Sequence, residues 1–297
     1  FKNIENNLRL MRMENNILEV LIESNVCSGT YLEKFYHKVR ERDDISVLRC
    51  KESGVIFLSR TDHINPSFYE KKEKLSSWYA EVLDQASVIT KENDQCRSQR
   101  FKEVIKNKVW LDIGTGLGGI LDLLSPCARK IYAIEPQANK REFLLNKGYE
   151  AFADIDEFPY ENIEVVTLFH VFEHIKNPVS FLKDVYEKMK KDAYLIIEVP
   201  HANDFLLKLD RFKEFTFWEE HLILHTKESL KRFLNLAGFK NILIEGFQRY
   251  PLLNHLKWIF LGKPSGYKKR FDFVDRTYKG LLKISNKTDT LIAIARK

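Results

Sequence analysis

A glycine-rich turn between a strand pattern and a helix pattern constrains the fold of this chain most. Residues 109–113 read as a buried strand, residues 119–124 read as a helix, and Gly114, Gly116 and Gly118 lie in the turn between them. Glycines let the backbone approach a ligand closely, and the following helix N-terminus offers unpaired N–H groups. The motif therefore predicts a ligand-binding turn at the edge of an α/β sheet.

Strand and helix patterns alternate from residue 109 onward, as a parallel α/β sheet requires. The predicted strands are 109–113, 130–134, 150–153, 165–168, 193–199, 240–246 and 290–295, and the predicted helices are 119–124, 138–147, 177–189 and 226–237. An aromatic and basic insertion from about 249 to 287 is too long for a hairpin turn. We therefore predict a seven-stranded Rossmann-like sheet with a substrate-facing cap.

The first hundred residues carry different patterns. Apolar spacing predicts an amphipathic helix over 7–23, and short β-rich runs at 46–50 and 55–59 predict a small hairpin. Helical sequence is predicted over about 68–83 and 94–106. The chain is therefore expected to divide into a lead-in over 1–93 and an α/β domain over 94–297.

The lead-in contains Ser24-x-x-Cys27 and Cys50-x-x-Ser53, where a zinc ribbon would have Cys-x-x-Cys twice. Structural zinc takes four thiolate or imidazole ligands, and a serine hydroxyl is a poor substitute. The pattern predicts a ribbon-like fold without metal. With four cysteines in the whole chain, reduced thiols are expected rather than a disulfide framework.

Composition limits the class of protein further. The chain has 297 residues, with 48 Lys and Arg against 42 Asp and Glu, and no run approaches the roughly 18 apolar residues of a membrane span. The first residues lack the apolar core of a signal peptide. These observations favour a cytoplasmic protein without a membrane span. Because the basic residues form no long block, nucleic acid is not an expected partner.

Two carboxylates flank the glycine turn and bear on the kind of ligand. Glu135 ends the second strand of the α/β region, where a carboxylate can accept both ribose hydroxyls of an adenosine. Gly114, Gly116 and Gly119 also satisfy the dinucleotide pattern G-x-G-x-x-G. Asp112 would repel a pyrophosphate but suits the cationic ammonium group of a methionine moiety, so S-adenosylmethionine is favoured over NAD(P).

These motifs together resemble a known family. Asp-Ile-Gly-Thr-Gly-Leu-Gly at 112–118, Ile-Glu-Pro at 134–136 and Leu-Phe-His-Val-Phe-Glu-His-Ile-Lys-Asn-Pro at 168–178 are similar to class I S-adenosylmethionine-dependent methyltransferases over about 109–297. The degenerate ribbon, Phe-Trp-Glu-Glu-His-Leu at 217–222 and Arg-Tyr-Pro at 249–251 resemble sugar C-methyltransferases and related polysaccharide-pathway enzymes. That resemblance implies methyl transfer to a sugar or nucleotide-linked sugar in surface polysaccharide biosynthesis.

The resemblance also implies how the cofactor is held. The loop over 112–118 would hold the methionine part, Glu135 the ribose, and Asp154 with Ile155 the adenine edge. The predicted cofactor-binding residues are Asp112, Gly114, Gly116, Gly118, Glu135, Asp154, Ile155 and Phe169.

Methyl transfer is an in-line displacement, so an enzyme gains by aligning the nucleophile and removing its proton. His170 and His174 follow the fourth strand and lie four residues apart, and histidine suits proton transfer near neutral pH. His174 resembles the position of the catalytic histidine in sugar C-methyltransferases, with His170 as the second candidate. A packed, structural role for either histidine remains the alternative.

Candidate substrate contacts lie further along the chain in aromatic and basic surroundings. They are His221, Tyr250, Asn254, His255 and Lys263. Lys263, with Lys268 and Arg270, could meet the diphosphate of a nucleotide-linked sugar.

Other classes of function stay open at this point. An NAD-dependent sugar-modifying oxidoreductase fits the glycine pattern but lacks an identifiable Tyr/Lys or Cys catalytic partner. A methyltransferase fold without turnover could serve as a scaffold, although Asp112, Glu135 and His174 are all present. An RNA methyltransferase would need a basic stripe that the sequence lacks.

Overall fold

The computed structural model describes residues 16–64, Phe68, 76–265 and 272–297. The strands in these ranges are β1 (Leu32–Tyr36), β2 (Val47–Cys50), β3 (Ile56–Leu58), β4 (Val109–Ile113), β5 (Lys130–Ile134), β6 (Glu150–Phe152), β7 (Ile163–Phe169), β8 (Met189–Pro200), β9 (Ile223–Leu224), β10 (Lys240–Phe247) and β11 (Thr290–Arg296). The α-helices are α1 (Asn16–Glu23), α2 (Ser76–Ile105), α3 (Gly119–Leu124), α4 (Ala138–Asn146), α5 (Pro178–Lys188), α6 (Asp210–Thr216), α7 (Lys227–Leu236), α8 (Leu252–Leu261) and α9 (Asp272–Ile284). Single 3₁₀ turns form at Phe172–His174 and Phe205–Lys208.

Seven strands form the main sheet, in the order β10-β11-β8-β7-β4-β5-β6. Neighbours from β8 to β6 pair in parallel, whereas β11 pairs antiparallel with both β8 and β10. The central strands β7 and β8 are buried over most of their length, as expected for a sheet with helices on both faces. The predicted α/β Rossmann-like fold is therefore confirmed.

A second, four-stranded antiparallel sheet has the order β1-β2-β3-β9. The predicted hairpin is its centre, where Val47 pairs with Leu58. Its last strand, β9, lies between α6 and α7 and pairs with β3 through Phe57 and Ile223. Residues of both sheets also share one hydrophobic core. The lead-in is thus joined to the α/β part by backbone pairing and by apolar packing.

Several predicted boundaries differ from the structure. The prediction of two helices over 68–83 and 94–106 is wrong within the described ranges, because one continuous helix, α2, runs from Ser76 to Ile105. The sequence between the two predicted helices has weak apolar periodicity but no proline or glycine that would end a helix. The part of the predicted N-terminal helix before residue 16 lies outside the described residues.

The strand register brings the chemistry to one edge of the main sheet. Asp112 pairs with Thr167, and Phe169 pairs with Glu198, so β4, β7 and β8 end together. Thr290 pairs with Pro200 and with Phe247, which places the ends of the 248–289 connection at the same edge. That connection contains α8 and α9, with 266–271 outside the described residues. Ligands in open α/β sheets bind at this carboxyl edge.

Candidate active site

The glycine turn after β4 has the backbone geometry that its sequence predicts. Gly114, Gly116 and Gly118 have φ angles of 72°, 60° and 77°, which L-residues with a side chain rarely adopt. A Cβ at Gly114 would lie 2.3 Å from Val171, whereas the space beside Gly116 is open to 4 Å. The turn is therefore packed on one side and leaves backbone exposed on the other.

Glu135 is hydrogen-bonded to the backbone of this turn. Its carboxylate is 4% exposed and accepts hydrogen bonds from the N–H groups of Gly116, at 2.8 Å, and Gln137, at 3.0 Å. Burial raises the pKa of this carboxyl, and these two N–H groups oppose the rise. Because each oxygen retains a further lone pair, the carboxylate can also accept ribose hydroxyl groups. The donor set thus fits an adenosine at the glycine turn.

Asp112 lies deeper in the same site than the sequence suggests. Its side chain is 2% exposed and accepts a 2.5 Å hydrogen bond from Thr167, whose hydroxyl accepts one from Trp110. Burial raises the pKa of Asp112 to about 7, against the hydrogen bond from Thr167. The Asp112 carboxylate is thus hydrogen-bonded to β7, and its predicted contact with an ammonium group stays a prediction.

The other predicted cofactor residues lie around the same edge. Asp154 is exposed after β6 and accepts a hydrogen bond from Glu157 N–H at 2.8 Å, and Ile155 beside it is buried. Phe169, at the end of β7, stacks on Phe101 with ring centroids 5.7 Å apart. The Phe169 ring therefore packs towards α2, and its predicted part in binding the cofactor stays a prediction.

His170 lies at the centre of a charged network. Its φ of 57° is unusual for a residue with a side chain, and such strain is found at functional sites. Nδ1 lies 3.1 Å from Oε1 of Glu173, and Nε2 lies 2.8 Å from Nη1 of Arg249. Because arginine can only donate, Nε2 accepts and Nδ1 carries the proton. His170 therefore connects a buried carboxylate to a cation of the insertion.

Glu198 and Arg97 extend this network. Arg97 donates to Glu198 at 2.7 Å and to Asp94 at 2.9 Å, and His170 Nε2 lies 3.2 Å from the same Glu198 oxygen. Burial would raise the pKa of Glu198, but the charge and the hydrogen bond of Arg97 hold it well below its usual range. The carboxylate is therefore ionised at the end of β8.

His174 has a different and simpler environment. Its Nδ1 lies 2.8 Å from the carbonyl oxygen of Glu220, which can only accept a hydrogen bond. The proton is therefore on Nδ1, and Nε2 is left with a lone pair. The His221 ring packs edge-on against His174 with centroids 5.1 Å apart, so the predicted catalytic residue and one predicted substrate contact lie together.

Glu173 supplies negative charge between the two candidate bases. Its side chain is fully buried, and Oε2 has no hydrogen-bond partner among the described residues. Burial would raise the pKa of Glu173, but the hydrogen bond from His170 opposes it and, with His174 and His221 in their protonated forms, lowers the pKa to about 2. Burial also lowers the pKa of His221 to about 4, with a further contribution from His174.

Glu173, His174 and His221 also have one ligand-type atom each within 4.8 Å of one another. In the described part of the chain this is the group compact enough to hold a metal ion.

In the lead-in, burial raises the pKa of Cys27 to about 12, and a hydrogen bond with Cys50 adds to the rise. That the ribbon with Cys27 and Cys50 holds no metal stays a prediction.

A cavity of about 400 Å³ lies between α2 and the insertion. Its cations are Arg97, Arg100, Arg249 and Lys279. Glu198 also lines it, so the cavity adjoins the His170 network at the carboxyl edge of β8. Its size suits a small molecule. The three arginines are paired with Glu198, Glu245 and Asp289. The four cations exceed the two lining acids, Glu92 and Glu198, so the net charge of the lining suits an acceptor that carries negative charge.

The remaining predicted substrate residues do not converge on this cavity. Tyr250 follows Arg249, whose guanidinium lies 5.3 Å from the Tyr250 ring centroid. Asn254 is buried and accepts a hydrogen bond from Ser265 N–H at 2.9 Å. His255 is fully buried, 2.6 Å from the Tyr278 hydroxyl, and Lys263 is exposed beyond the end of α8. Lys268 and Arg270 lie outside the described residues.

Sequence reasoning missed several residues that the fold brings together. Arg97 and Arg100 lie on α2, far in sequence from every motif, and Lys279 lies on α9. Glu198 gave a usable signal, because it is a lone acid at the end of an apolar strand pattern. Arg249 stood within a recognised motif but was not assigned to the site.

A family model described as a methyltransferase domain matches residues 89–244, which is more than half of the chain. The chain therefore belongs to this family of S-adenosylmethionine-dependent methyltransferases. No curated protein matches it.

Solved structures show the same fold at low identity. An S-adenosylmethionine-dependent methyltransferase from Archaeoglobus fulgidus is 22% identical, with 70% of this chain and 94% of that chain covered and a TM-score of 0.52. A possible histamine N-methyltransferase from Thermotoga maritima is 13% identical, with coverage of 75% and 98% and a TM-score of 0.53. Among the described residues, no helix is both long and apolar enough to cross a membrane.

Proposed function

We propose that this methyltransferase methylates a small anionic acceptor, a sugar or nucleotide-linked sugar of surface polysaccharide biosynthesis, and that His174 removes the acceptor's proton. The observation that carries the proposal is that the predicted cofactor and proton-transfer residues lie at the same edge of the main sheet. The glycine turn with Glu135 and the histidine pair after β7 lie at the carboxyl ends of β4, β5 and β7, and the cavity reaches this edge through Glu198 at the end of β8 and through Arg249.

S-adenosylmethionine, when bound, supplies an electrophilic methyl group and leaves as a neutral thioether. The residues to hold it are the 112–118 turn, with Glu135 for the ribose hydroxyls and Asp154 and Ile155 at the adenine edge. Open space beside Gly116 and the buried Glu135 carboxylate fit such a group.

Proton removal is assigned to His174 because its tautomer is fixed. The Glu220 carbonyl holds Nδ1–H, so Nε2 is the basic atom. The ionised Glu173 carboxylate stabilises the imidazolium that forms when Nε2 takes a proton. His170 has its Nε2 occupied by Arg249, so its proposed part is to hold that arginine at the cavity.

The sugar-nucleotide assignment draws on the sequence resemblance and on the four cations of the cavity. A guanidinium binds phosphate oxygens through paired N–H groups, and two of the four arginine and lysine side chains belong to the insertion. Cytoplasmic location is part of the same proposal.

The test is a screen of sugar nucleotides and their free sugars with labelled S-adenosylmethionine. We expect methyl transfer to a sugar nucleotide, and weaker transfer to the matching free sugar. Turnover with uncharged acceptors alone would contradict an anionic acceptor. Cofactor binding without turnover of any acceptor would favour a scaffold.

A further inference from the structure

The two helices of the insertion each present an apolar face to solvent in addition to the face they bury. On α8, Asn254 and Trp258 are buried, whereas Leu256, Ile259 and Phe260 are 38%, 43% and 73% exposed on the other side. Helical spacing puts these three on one stripe. This face is therefore buried by none of the residues that the structure describes.

Helix α9 repeats the arrangement. Asp275 and Leu282 are buried, and Phe273, Leu281 and Ile284 are 79%, 60% and 86% exposed. The three exposed positions are separated by eight and three residues, which again gives one stripe. We call the apolar residues 256, 259, 260, 273, 281 and 284 the insertion face.

Positive charge is concentrated in the same segment. Residues 249–287 contain ten Lys and Arg but two Asp, so this segment alone carries more net charge than the +6 of the whole chain. The rest of the chain is therefore slightly acidic. Of the two Asp, Asp275 is buried and accepts the N–H of Leu252, so it does not lie on the surface beside the exposed cations. Arg249 and Lys283 are paired with Asp289 and Glu245 outside the segment.

We propose that the insertion face docks the protein on an anionic membrane surface. Exposed aromatic and aliphatic side chains beside lysine and arginine are the combination that binds anionic lipid interfaces. A second copy of the chain is disfavoured as the partner, because a two-fold interface would bring two strongly basic segments together. No membrane-spanning helix is needed for such docking.

Docking would also orient the active site. Pro251 at the start of α8 and Lys279 of α9 line the 400 Å³ cavity, and Lys279 lies on the side of α9 opposite its exposed apolar stripe, so α9 separates the cavity from the insertion face. The binding claim itself does not depend on the proposed acceptor.

Vesicle cosedimentation tests the proposal with the full chain. Vesicles of phosphatidylcholine with one quarter phosphatidylglycerol are compared with pure phosphatidylcholine, at low and high salt. We expect binding to the anionic vesicles alone, weakened by salt. Absence of binding to anionic vesicles at low salt would overturn the proposal.

Two sets of variants separate the apolar and the charged contributions. Phe273→Ser with Ile284→Ser should lower the partition coefficient at least about tenfold, and Lys257→Glu with Arg276→Glu should lower it by about fivefold or more per charge. Leu145→Ser, an exposed apolar position on α4, is the matched control and should bind as the wild type. Equal binding by all variants would contradict the assigned face.

Sedimentation velocity decides between lipid and a second copy. One outcome is that the wild type forms dimers that dissociate in the Phe273→Ser, Ile284→Ser variant and does not bind vesicles. That result would assign the face to self-association and overturn the proposal. S-adenosylhomocysteine binding in the same samples shows that the fold is intact. A failure of docking is thereby distinguished from a failure of the methyltransferase assignment.

Discussion

His174 and His170 differ in which ring nitrogen is available, although they are four residues apart. The Glu220 carbonyl fixes the proton of His174 on Nδ1 and leaves Nε2 basic, whereas Arg249 occupies Nε2 of His170. Neither partner is near in sequence, so the sequence could rank His174 above His170 by resemblance alone. The ranking follows from the return of residues 220 and 249 to the carboxyl edge of the sheet.

His174→Ala should lower turnover by about 10²- to 10⁴-fold, because general-base catalysis contributes that range. S-adenosylhomocysteine affinity should stay within twofold of wild type, roughly, since His174 contacts no residue of the glycine turn. Initial rates and calorimetric titration measure the two effects. His37→Ala, at an exposed histidine of the lead-in, is the matched control.

Near-normal turnover by both His174→Ala and His170→Ala would contradict the general-base assignment. The same rates after treatment with EDTA test the expectation of a site without metal. Loss of wild-type activity on chelation, with recovery on adding a divalent cation, would instead assign Glu173, His174 and His221 to metal binding.

Among the helices and strands, segments with strong apolar periodicity were predicted from the sequence, whereas segments that depend on tertiary contacts were not. The strands β4, β5, β7 and β8 and the helix α7 were predicted because apolar runs and caps are local signals. Thr226 caps α7 by accepting from Ser229 N–H. In contrast, β9 has two residues and exists because β3 pairs with it, which no local pattern encodes.

The buried Asp204 side chain allows a test of how the stability of the fold depends on pH. It accepts the N–H of Leu206 and caps the 3₁₀ turn at 205–208, and burial, with Asp289 adding to it, raises its pKa to about 7. An acid whose pKa is raised on folding stabilises the fold at low pH. Its contribution is lost as pH rises from the unfolded value near 4 through about 7.

Asp204→Asn keeps the capping oxygen and removes this titration. Relative to wild type, the free energy of unfolding of the variant should rise between pH 4 and 8 by up to about 4 kcal/mol. Urea unfolding across this range measures it, with the exposed Asp210→Asn as control. A difference that is constant with pH would show that Asp204 titrates normally.

At the scale of the whole molecule, the lead-in and the α/β part form a continuous structure. Leu58 N–H donates to the Leu222 carbonyl at 3.2 Å, and Leu222 N–H donates to the Glu173 carbonyl at 2.9 Å. Backbone hydrogen bonds thus connect the N-terminal sheet to the backbone of Glu173 through the single residue Leu222. The division at residue 93 suggested by the sequence separates parts that the structure connects.

Phe57→Ala tests this coupling. Phe57 is fully buried in β3, so the change should lower the free energy of unfolding by about 3–5 kcal/mol. Because the core is shared, calorimetry should show one transition that moves as a whole, whereas Tyr31→Ala at a 61% exposed position should not move it. Two transitions, with the second unchanged, would show that the lead-in folds independently.

The central claim is that the glycine turn and Glu135 hold an S-adenosylmethionine-type ligand. Calorimetric titration with S-adenosylhomocysteine, with NADH as control, tests it most directly. We expect roughly micromolar affinity for S-adenosylhomocysteine alone, weakened about tenfold or more by Glu135→Gln because a charged acceptor for the ribose hydroxyls is lost. Binding of NADH, or of neither ligand, would contradict the assignment of this site.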